Sequence, residues 1–420
     1  MINYNYNNDL PIQNSKEDLL NRAEFAENLS TAVSNLPTQN NSFTIGLIGE
    51  WGSGKSSILN MFEEKIKNKD KIIIMKFNPW RFSQMDNLYN SFFTDLIITL
   101  EKNNINKDII NKLKKYKDKI ILSSLHILKD VAHVSAPLEI YKMFNKDDKT
   151  LEEQKNDLNK ILSLINKKVV IIIDDIDRLV SKEVQQLFQI IKSLADFPNI
   201  TYLLAFDKNH VYNALNTKHY LGNSNSNNPE EFINKIIQMP IDMPKFNKDM
   251  LKPIINDKIS NIFNEYNKPI KNISYLIEMI SIFIKNIRDL NRYMNLLTFN
   301  FALLKDKVNL YDLALLSIFQ LFENEVYSDI KNNKELLIER YRDKEIVKDF
   351  SKMIKDYNED IMNILFTLFP NSRFFEDELF YRTYEEYGHP FDYDSAEGEK
   401  NKQIYIEKYF DVYFSASLSQ

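Results

Sequence analysis

Cysteine is absent from this 420-residue chain. That excludes disulfides, zinc–thiolate sites and a cysteine nucleophile, and it fits a reducing compartment. Long apolar runs are missing as well. The longest candidate, residues 310–322, is too short to span a bilayer and carries Asp312 and Gln320. The segment Met1 to Asp9 is polar and lacks a signal-peptide profile. These absences point to a cytoplasmic protein with no membrane span. There is no basic excess either. The formal net charge of −5 argues against a protein that coats nucleic acid generally, leaving only a local basic patch open. No nuclease, protease or deaminase constellation is visible.

Glycine is scarce, and its placement is informative. Of 7 glycines, 4 (Gly46, Gly49, Gly52 and Gly54) fall in one short stretch. There Gly49-Glu50-Trp51-Gly52-Ser53-Gly54-Lys55-Ser56 reads G-x-x-x-x-G-K-S, a complete phosphate-binding loop, with Ser57 extending it. Successive backbone N–H groups must curl around phosphate oxygens, and a Cβ would obstruct that path. Lys55 is placed to reach the β- and γ-phosphates, and the Ser56 hydroxyl to bind Mg²⁺. The β-rich run from Phe43 to Ile48 precedes the loop. A helix from Lys55 to about Lys67 follows it, aiming its positive end at the phosphates.

What is abundant is apolar and helix-forming. At 44% hydrophobic over this length, the chain can build two or three cored domains. The first 14 residues read as a flexible N-terminus. Ser15 to Leu36 reads as one helix capped by Ser15, with an apolar face from Leu19 to Val33. Lys71 to Phe77 is a second strand, ended by Asn78-Pro79-Trp80-Arg81. From pattern alone, Trp80 as a core edge and Arg81 as a surface charge stand as an even alternative to a functional role. Residues 88–100 form an amphipathic helix.

Between 101 and 150 the chain is lysine-rich, with Lys112, Lys114, Lys115, Lys117 and Lys119. A solvated helix face is the favoured reading, and a nucleic-acid or acidic-lipid patch the minor one. Asn145-Lys146-Asp147-Asp148 matches a guanine-reading pattern only formally, because no hydrophobic strand precedes it.

The second chemical motif is Val169-Val170-Ile171-Ile172-Ile173-Asp174-Asp175-Ile176-Asp177-Arg178. Five β-branched residues predict a strand buried on both faces. Carboxylates at its C-terminal edge stand where open α/β sheets hold their ligands. Asp174 is placed to hold Mg²⁺, and Asp175 to polarise the attacking water. The long separation from Lys55 places a helical insertion at about 101–150. The next strand, Asn199 to Phe206, ends in Asp207. That residue is read equally as a contact to the γ-phosphate or water and as a cap for the helix at 208–215.

Pro240 and Pro244 mark a boundary near residue 245. Beyond it the pattern is helical, at about 248–265, 273–284, 288–304 and 310–322. The expected division is a nucleotide domain at 15–245, a helical lid at 246–330 and a C-terminal helical region at 331–420. The two motifs together specify Mg-dependent nucleoside triphosphate hydrolysis, carried mostly by positioning and electrostatics. Such sites often borrow a further positive charge. The candidates are Arg178 across an oligomer interface, Arg288 or Arg292 from the lid, and Lys235, each also readable as an ordinary surface or salt-bridge residue.

In combination these segments resemble the KAP family of P-loop NTPases. The resemblance spans roughly 15–300. It rests on Glu17-Asp18-Leu19-Leu20-Asn21-Arg22 with Phe25-Ala26, and on the loop with its Trp51. It also rests on Phe77-Asn78-Pro79-Trp80-Arg81, Ile173 to Arg178, Leu204 to Asp207, Phe232 to Gln238 and Arg288 to Arg292. The resemblance implies an α/β fold of the additional-strand, AAA+-like class: a parallel sheet sandwiched by helices, then an all-α lid. It implies ATP rather than GTP, and Arg288 as a lid sensor. Many members carry membrane helices between the two nucleotide motifs. The corresponding insertion here is too polar to span, which favours the soluble bacterial members. Their roles in phage and plasmid exclusion imply ATP turnover that gates an effector, through a homo-oligomer or a partner protein. The segment from Tyr409 to Phe414 resembles one that longer relatives continue beyond. The alternatives are a slow-turnover nucleotide-binding module that recruits a partner and, least favoured by the acidic balance, a nucleic-acid motor.

Overall fold

The computed structural model describes residues 8, 10–37, 41–67, 69, 71–83, 88–132, 150–215, 229–245, 248–265, 272–304, 306–338, 344–370, 372 and 395–415. The chain divides into two compact units, one from Pro11 to Lys245 and the other beginning at Phe246.

The first unit is built on five parallel strands: β1 (Phe43–Ile48), β2 (Ile72–Phe77), β3 (Lys168–Ile173), β4 (Ile200–Phe206) and β5 (Met239–Asp242). Their order across the sheet is β2-β3-β4-β1-β5. β4 therefore lies between the strand that leads into the glycine loop and the strand that ends in the carboxylates. Side chains alternate across a strand, and here they feed two separate cores. Val169, Ile171 and Ile173 join Tyr202, Leu204 and Phe206 on one face. Val170 and Ile172 join Ile45, Leu47, Leu203 and Ala205 on the other. The second face is covered by α1 (Ala23–Asn35) and α2 (Lys55–Ile66). The first is covered by α3 (Leu88–Lys102), α4 (Lys107–Ala132), α5 (Leu151–Leu162), α6 (Ser181–Gln189), α7 (Lys208–Leu215) and α8 (Pro229–Ile236). A sheet covered on both faces explains why β3 and β4 read as continuous apolar runs.

Two local expectations change in detail. The single helix from Ser15 to Leu36 is instead a short 3-10 turn, Ser15–Glu17, followed by α1. Asp18 makes the break. Its carboxylate accepts from the Leu20 and Ala23 N–H groups at 3.0 and 2.7 Å, and Asn21 turns through φ 52°. Ser15 is not the cap. It binds Glu64 through its N–H and hydroxyl at 2.8 and 2.7 Å. The lysine-rich stretch, meanwhile, is integral to the unit. Ile109, Ile110, Leu113, Tyr116 and Ile120 of α4 lie in the core, while Lys112, Lys114 and Lys115 are exposed and Lys117 and Lys119 half-buried. The Asn145 to Asp148 pattern lies outside the described residues, as does most of the Gly222 to Pro229 loop.

The second unit is helical. It holds α9 (Lys248–Glu265), α10 (Ile273–Phe283), α11 (Ile287–Leu304), α12 (Leu310–Phe322), α13 (Asn324–Asn332), α14 (Lys334–Ile338), α15 (Lys344–Met353), α16 (Glu359–Leu368), α17 (Ser395–Asn401) and α18 (Glu407–Tyr413). One apolar core runs through it from Leu251 to Phe414. Among the described residues, no helix is long and apolar enough to cross a membrane.

Candidate nucleotide site

The C-terminal ends of β1, β3 and β4 deliver the site. The chain leaves β1 with the Gly49 N–H bonded to the Phe206 carbonyl at 3.1 Å, so the glycine loop starts pinned to β4. Gly49 has no room for a side chain: a Cβ there would lie 2.5 Å from Met243 Cγ and 2.7 Å from Ser53 Oγ. Gly54 sits at φ 91°, a left-handed conformation that L side chains rarely adopt, and there it opens α2. Arg22 braces the loop from outside. Its guanidinium donates to the Ser53 carbonyl and, at 2.9 Å, to the Pro244 carbonyl beyond β5. Ser53 Oγ is buried without a hydrogen-bond partner.

Lys55 is 8% exposed, and its ammonium is fully engaged. It donates to the carbonyls of Gly49 and Glu50 at 2.8 and 3.2 Å and pairs with Asp177 at 2.9 Å. Asp177 in turn accepts from the Asp207 N–H at 2.6 Å. Asp177 therefore ties the loop lysine to the end of β4, a role that its place in an acidic run did not reveal.

Asp174 meets the loop from the β3 side. Burial pushes its carboxyl above the ordinary value, while the nearby Ser56 side chain opposes that rise. The two residues expected to share a metal are thus neighbours. Asp175 is in the left-handed region at φ 58°. One carboxylate oxygen accepts from Asn78 Nδ2 at 2.6 Å, and the other pairs with Arg178 Nε at 2.9 Å. The Arg178 guanidinium lies over the Trp80 ring at 4.5 Å and within 5.7 Å of the Trp51 ring centroid. Glu50 and Trp51 are exposed, whereas Gly52, Ser53, Ser56 and Ser57 are half-buried.

Asp207 accepts from the N–H groups of Asn209 and His210 at 2.9 and 3.3 Å, which is a helix-capping geometry for α7. Lys235 is exposed on α8. Arg288, half-buried, and Arg292, exposed, lie on α11 in the second unit. Three site contacts escaped the sequence reading: Asp177 on Lys55, Asn78 on Asp175, and Arg22 on the loop backbone. Each joins segments far apart in the chain. The signal was present for all three, because Arg22, Asn78 and Asp177 fall in the segments that carried the family resemblance.

The residues suit a triphosphate with its magnesium. The loop has room for backbone but not for Cβ at Gly49. A lysine closes on that loop and pairs with a carboxylate of the acidic segment, and a serine hydroxyl lies beside a second carboxylate there. That combination of strand order and loop defines a P-loop NTPase. A family profile described as "KAP family P-loop domain" matches residues 22–303. The chain belongs to the KAP family. It is 22% identical over 350 residues to the "Phage T7 exclusion protein" of Escherichia coli (strain K12). That match covers 76% of this chain and 46% of the relative, so the chain spans less than half of that protein's length. Among solved structures, Cdc6p from Pyrobaculum aerophilum is similar at TM-score 0.37 and 12% identity, over 85% of this chain and 87% of that one. The Aeropyrum pernix ORC2 protein in its ADP form gives 0.35 and 12%, over 83% and 85%. A RuvB mutant of Thermotoga maritima gives 0.36 and 11%, over 85% and 91%.

Proposed function

We propose that this chain is a cytoplasmic Mg-dependent ATPase whose turnover serves as a conformational or assembly switch in phage or plasmid exclusion. One observation carries the reading: the phosphate loop and the acidic segment after β3 meet, with Lys55 pairing with Asp177 at 2.9 Å and the Ser56 side chain beside Asp174. Bound magnesium would neutralise phosphate charge there, with Ser56 and Asp174 holding it. The N–H groups of the loop from Gly49 to Ser57 cradle the phosphates. Lys55 moves its charge from Asp177 to the γ-phosphate side. Asp175 orients water for in-line attack, and Asp207 contacts that water or the γ-phosphate. The helices at 246–330 act as the lid, with Arg288 as the sensor of the bound nucleotide. The exclusion role follows from kinship with the protein named for excluding phage T7. It implies a homo-oligomer or a partner effector as the output.

Phosphate release in the presence of ATP and Mg²⁺ tests this. Lys55→Ala, Asp174→Asn and Asp175→Asn should each cut turnover by at least ~10²-fold. Lys55→Ala should also weaken nucleotide binding, whereas Asp175→Asn should leave it intact. Turnover that survives in Asp174→Asn, or that needs no divalent cation, would overturn the reading.

A further inference from the structure

The chain has 2 tryptophans, and both flank the same arginine. Trp51 is 53% exposed inside the phosphate loop, and Trp80 is 47% exposed just after β2. The face of a tryptophan ring attracts a cation held within about 6 Å of its centroid. Here both lie against Arg178. We propose that Arg178 is a positioning residue acting in cis: lying over Trp80 and within 5.7 Å of the Trp51 ring centroid, it holds the Asp175 carboxylate in place and couples it to the phosphate loop. The proposal rests on the ATPase reading above and names the regulation of that same site.

The geometry explains why the side chain is arginine. A guanidinium carries its N–H donors in its own plane. With its central carbon over the Trp80 ring at 4.5 Å, the guanidinium still has Nε free to donate to Asp175 at 2.9 Å. Lysine could satisfy one contact or the other, but not both in this arrangement. Asp175 needs such support, since its backbone sits at φ 58°, a conformation that persists in a non-glycine residue only when its surroundings hold it. Asn78 grips the second carboxylate oxygen at 2.6 Å. Both oxygens of the water-orienting group are thus occupied, one of them by a side chain resting on the loop.

Trp51 lies between the exposed Glu50 and Gly52, which has φ 82°. Any movement of the loop on gaining phosphates displaces the Trp51 ring from Arg178, and Arg178 carries that displacement to Asp175. An arginine committed in this way within its own chain is not extended toward a neighbouring copy. That separates the cis latch from an Arg178 acting across an oligomer interface.

Both tryptophans report on the latch, so intrinsic emission reads it directly. Three quantities are measured on the full chain: displacement of a fluorescent ATP analogue, steady-state turnover, and tryptophan emission with and without ATP and Mg²⁺. In the parent chain, nucleotide should change the emission. In Arg178→Ala, analogue binding should stay within about threefold, kcat should fall about tenfold or more with KM little changed, and most of the emission change should vanish. Arg178→Lys should not restore kcat. Mixing Arg178→Ala with Lys55→Ala should give no more turnover than the two alone. Should Arg178→Ala fail to fold, Trp80→Leu removes the platform and keeps the ion pair, and it should show the same loss of kcat. Parent-like turnover in these variants, or recovered turnover in the mixture, overturns the latch while leaving the ATPase reading intact. Absence of analogue binding and turnover in the parent chain overturns the ATPase reading, and the latch with it.

Discussion

Asp177 in the sheet unit and Asp312 in the helical unit are both nearly inaccessible carboxylates, 8% and 2% exposed, yet they are satisfied by opposite means. Asp177 meets an ammonium, Lys55, at 2.9 Å. Asp312 meets neutral donors: the Ile404 N–H at 2.9 Å and the Tyr413 hydroxyl at 3.3 Å. A charge paired with a charge can be exchanged for another charge, which suits a lysine that must turn to a phosphate. A carboxylate held by a backbone N–H and a phenol fastens one stretch of chain to another. Tyr413 extends that fastening by sharing its one hydroxyl proton between Asp312 and the Lys402 carbonyl, the latter at 2.8 Å, and by accepting from the Asn309 N–H at 2.9 Å. The first unit spends its buried charge on an exchangeable site, and the second on closing its own core.

The largest expected effect breaks the first pair. Lys55→Ala leaves Asp177 buried without its cation, which typically costs about 3–5 kcal/mol. The double variant Lys55→Ala/Asp177→Asn should recover at least half of that loss, because the orphaned charge is gone. Both tryptophans belong to the sheet unit, so urea unfolding followed by their emission isolates it. A double variant as unstable as the single one would mean that the pair does not carry the stability of the loop.

The helical side of the contrast predicts a dependence on pH. Burial raises the Asp312 carboxyl from 3.8 to about 7, against the opposing hydrogen bonds from Ile404 and Tyr413. The folded unit therefore keeps a proton there that the unfolded chain has already lost. Stability from this group is full below about pH 4, falls as pH rises toward 7, and is level above. A carboxyl raised that far accounts for at most about 4 kcal/mol between the two limits. Asp312→Asn keeps an acceptor for the Ile404 N–H and removes the titration. Far-UV circular dichroism sees both units, and tryptophan emission sees one. The slope should therefore be present in the dichroism transition and absent in Asp312→Asn. A slope that survives the substitution would assign it to other groups.

A smaller loss is expected at the same corner of the helical unit. Asn309 caps α12, its side chain accepting from the Tyr311 and Asp312 N–H groups at 2.9 and 3.2 Å. Asn309→Ala should cost about 1 kcal/mol in the dichroism-monitored transition. It should leave the emission-monitored transition unmoved if the two units unfold separately.

The two units also differ in how much the sequence disclosed. The sheet unit carries chemistry with strict residue demands. Gly49 has no space for a Cβ, and β3 must be apolar on both faces, so loop, strand and acidic edge were all readable locally. The helices from α9 to α12 were readable from apolar spacing, to within a residue or two at each end. What was hidden is long-range. Nothing local says that β4 lies between β1 and β3, so the meeting of Asp177 with Lys55 was not visible. Asp18 broke an otherwise periodic helix by capturing two N–H groups, which a count of apolar positions does not register. Asn78 read only as part of the segment in which Pro79 ends the strand, and its hold on Asp175 depends on β2 lying beside β3. In the helical unit no glycine or charge pattern marks Asp312 as special, since its partners arrive from around residues 404 and 413.

The smallest effect is expected where the charge density is highest. Lys112 and Lys114 stand on the outer side of α4, whose inner side packs Ile109, Leu113 and Tyr116 into the sheet unit. Lys114 pairs with Glu101 at 2.7 Å, with side chains 49% and 43% exposed. Water screens such a pair, and ordering two long side chains offsets most of the Coulomb gain. Lys112→Ser and Lys114→Ser should each move the emission-monitored stability by no more than about 0.5 kcal/mol. If this face instead bound nucleic acid, the parent chain would retain a short duplex with an affinity that falls steeply with salt, and the substitutions would weaken that retention in step with the charges removed. The exposed lysines accompany a buried apolar face at helical spacing, so the expected result is no salt-dependent retention and an unchanged unfolding midpoint.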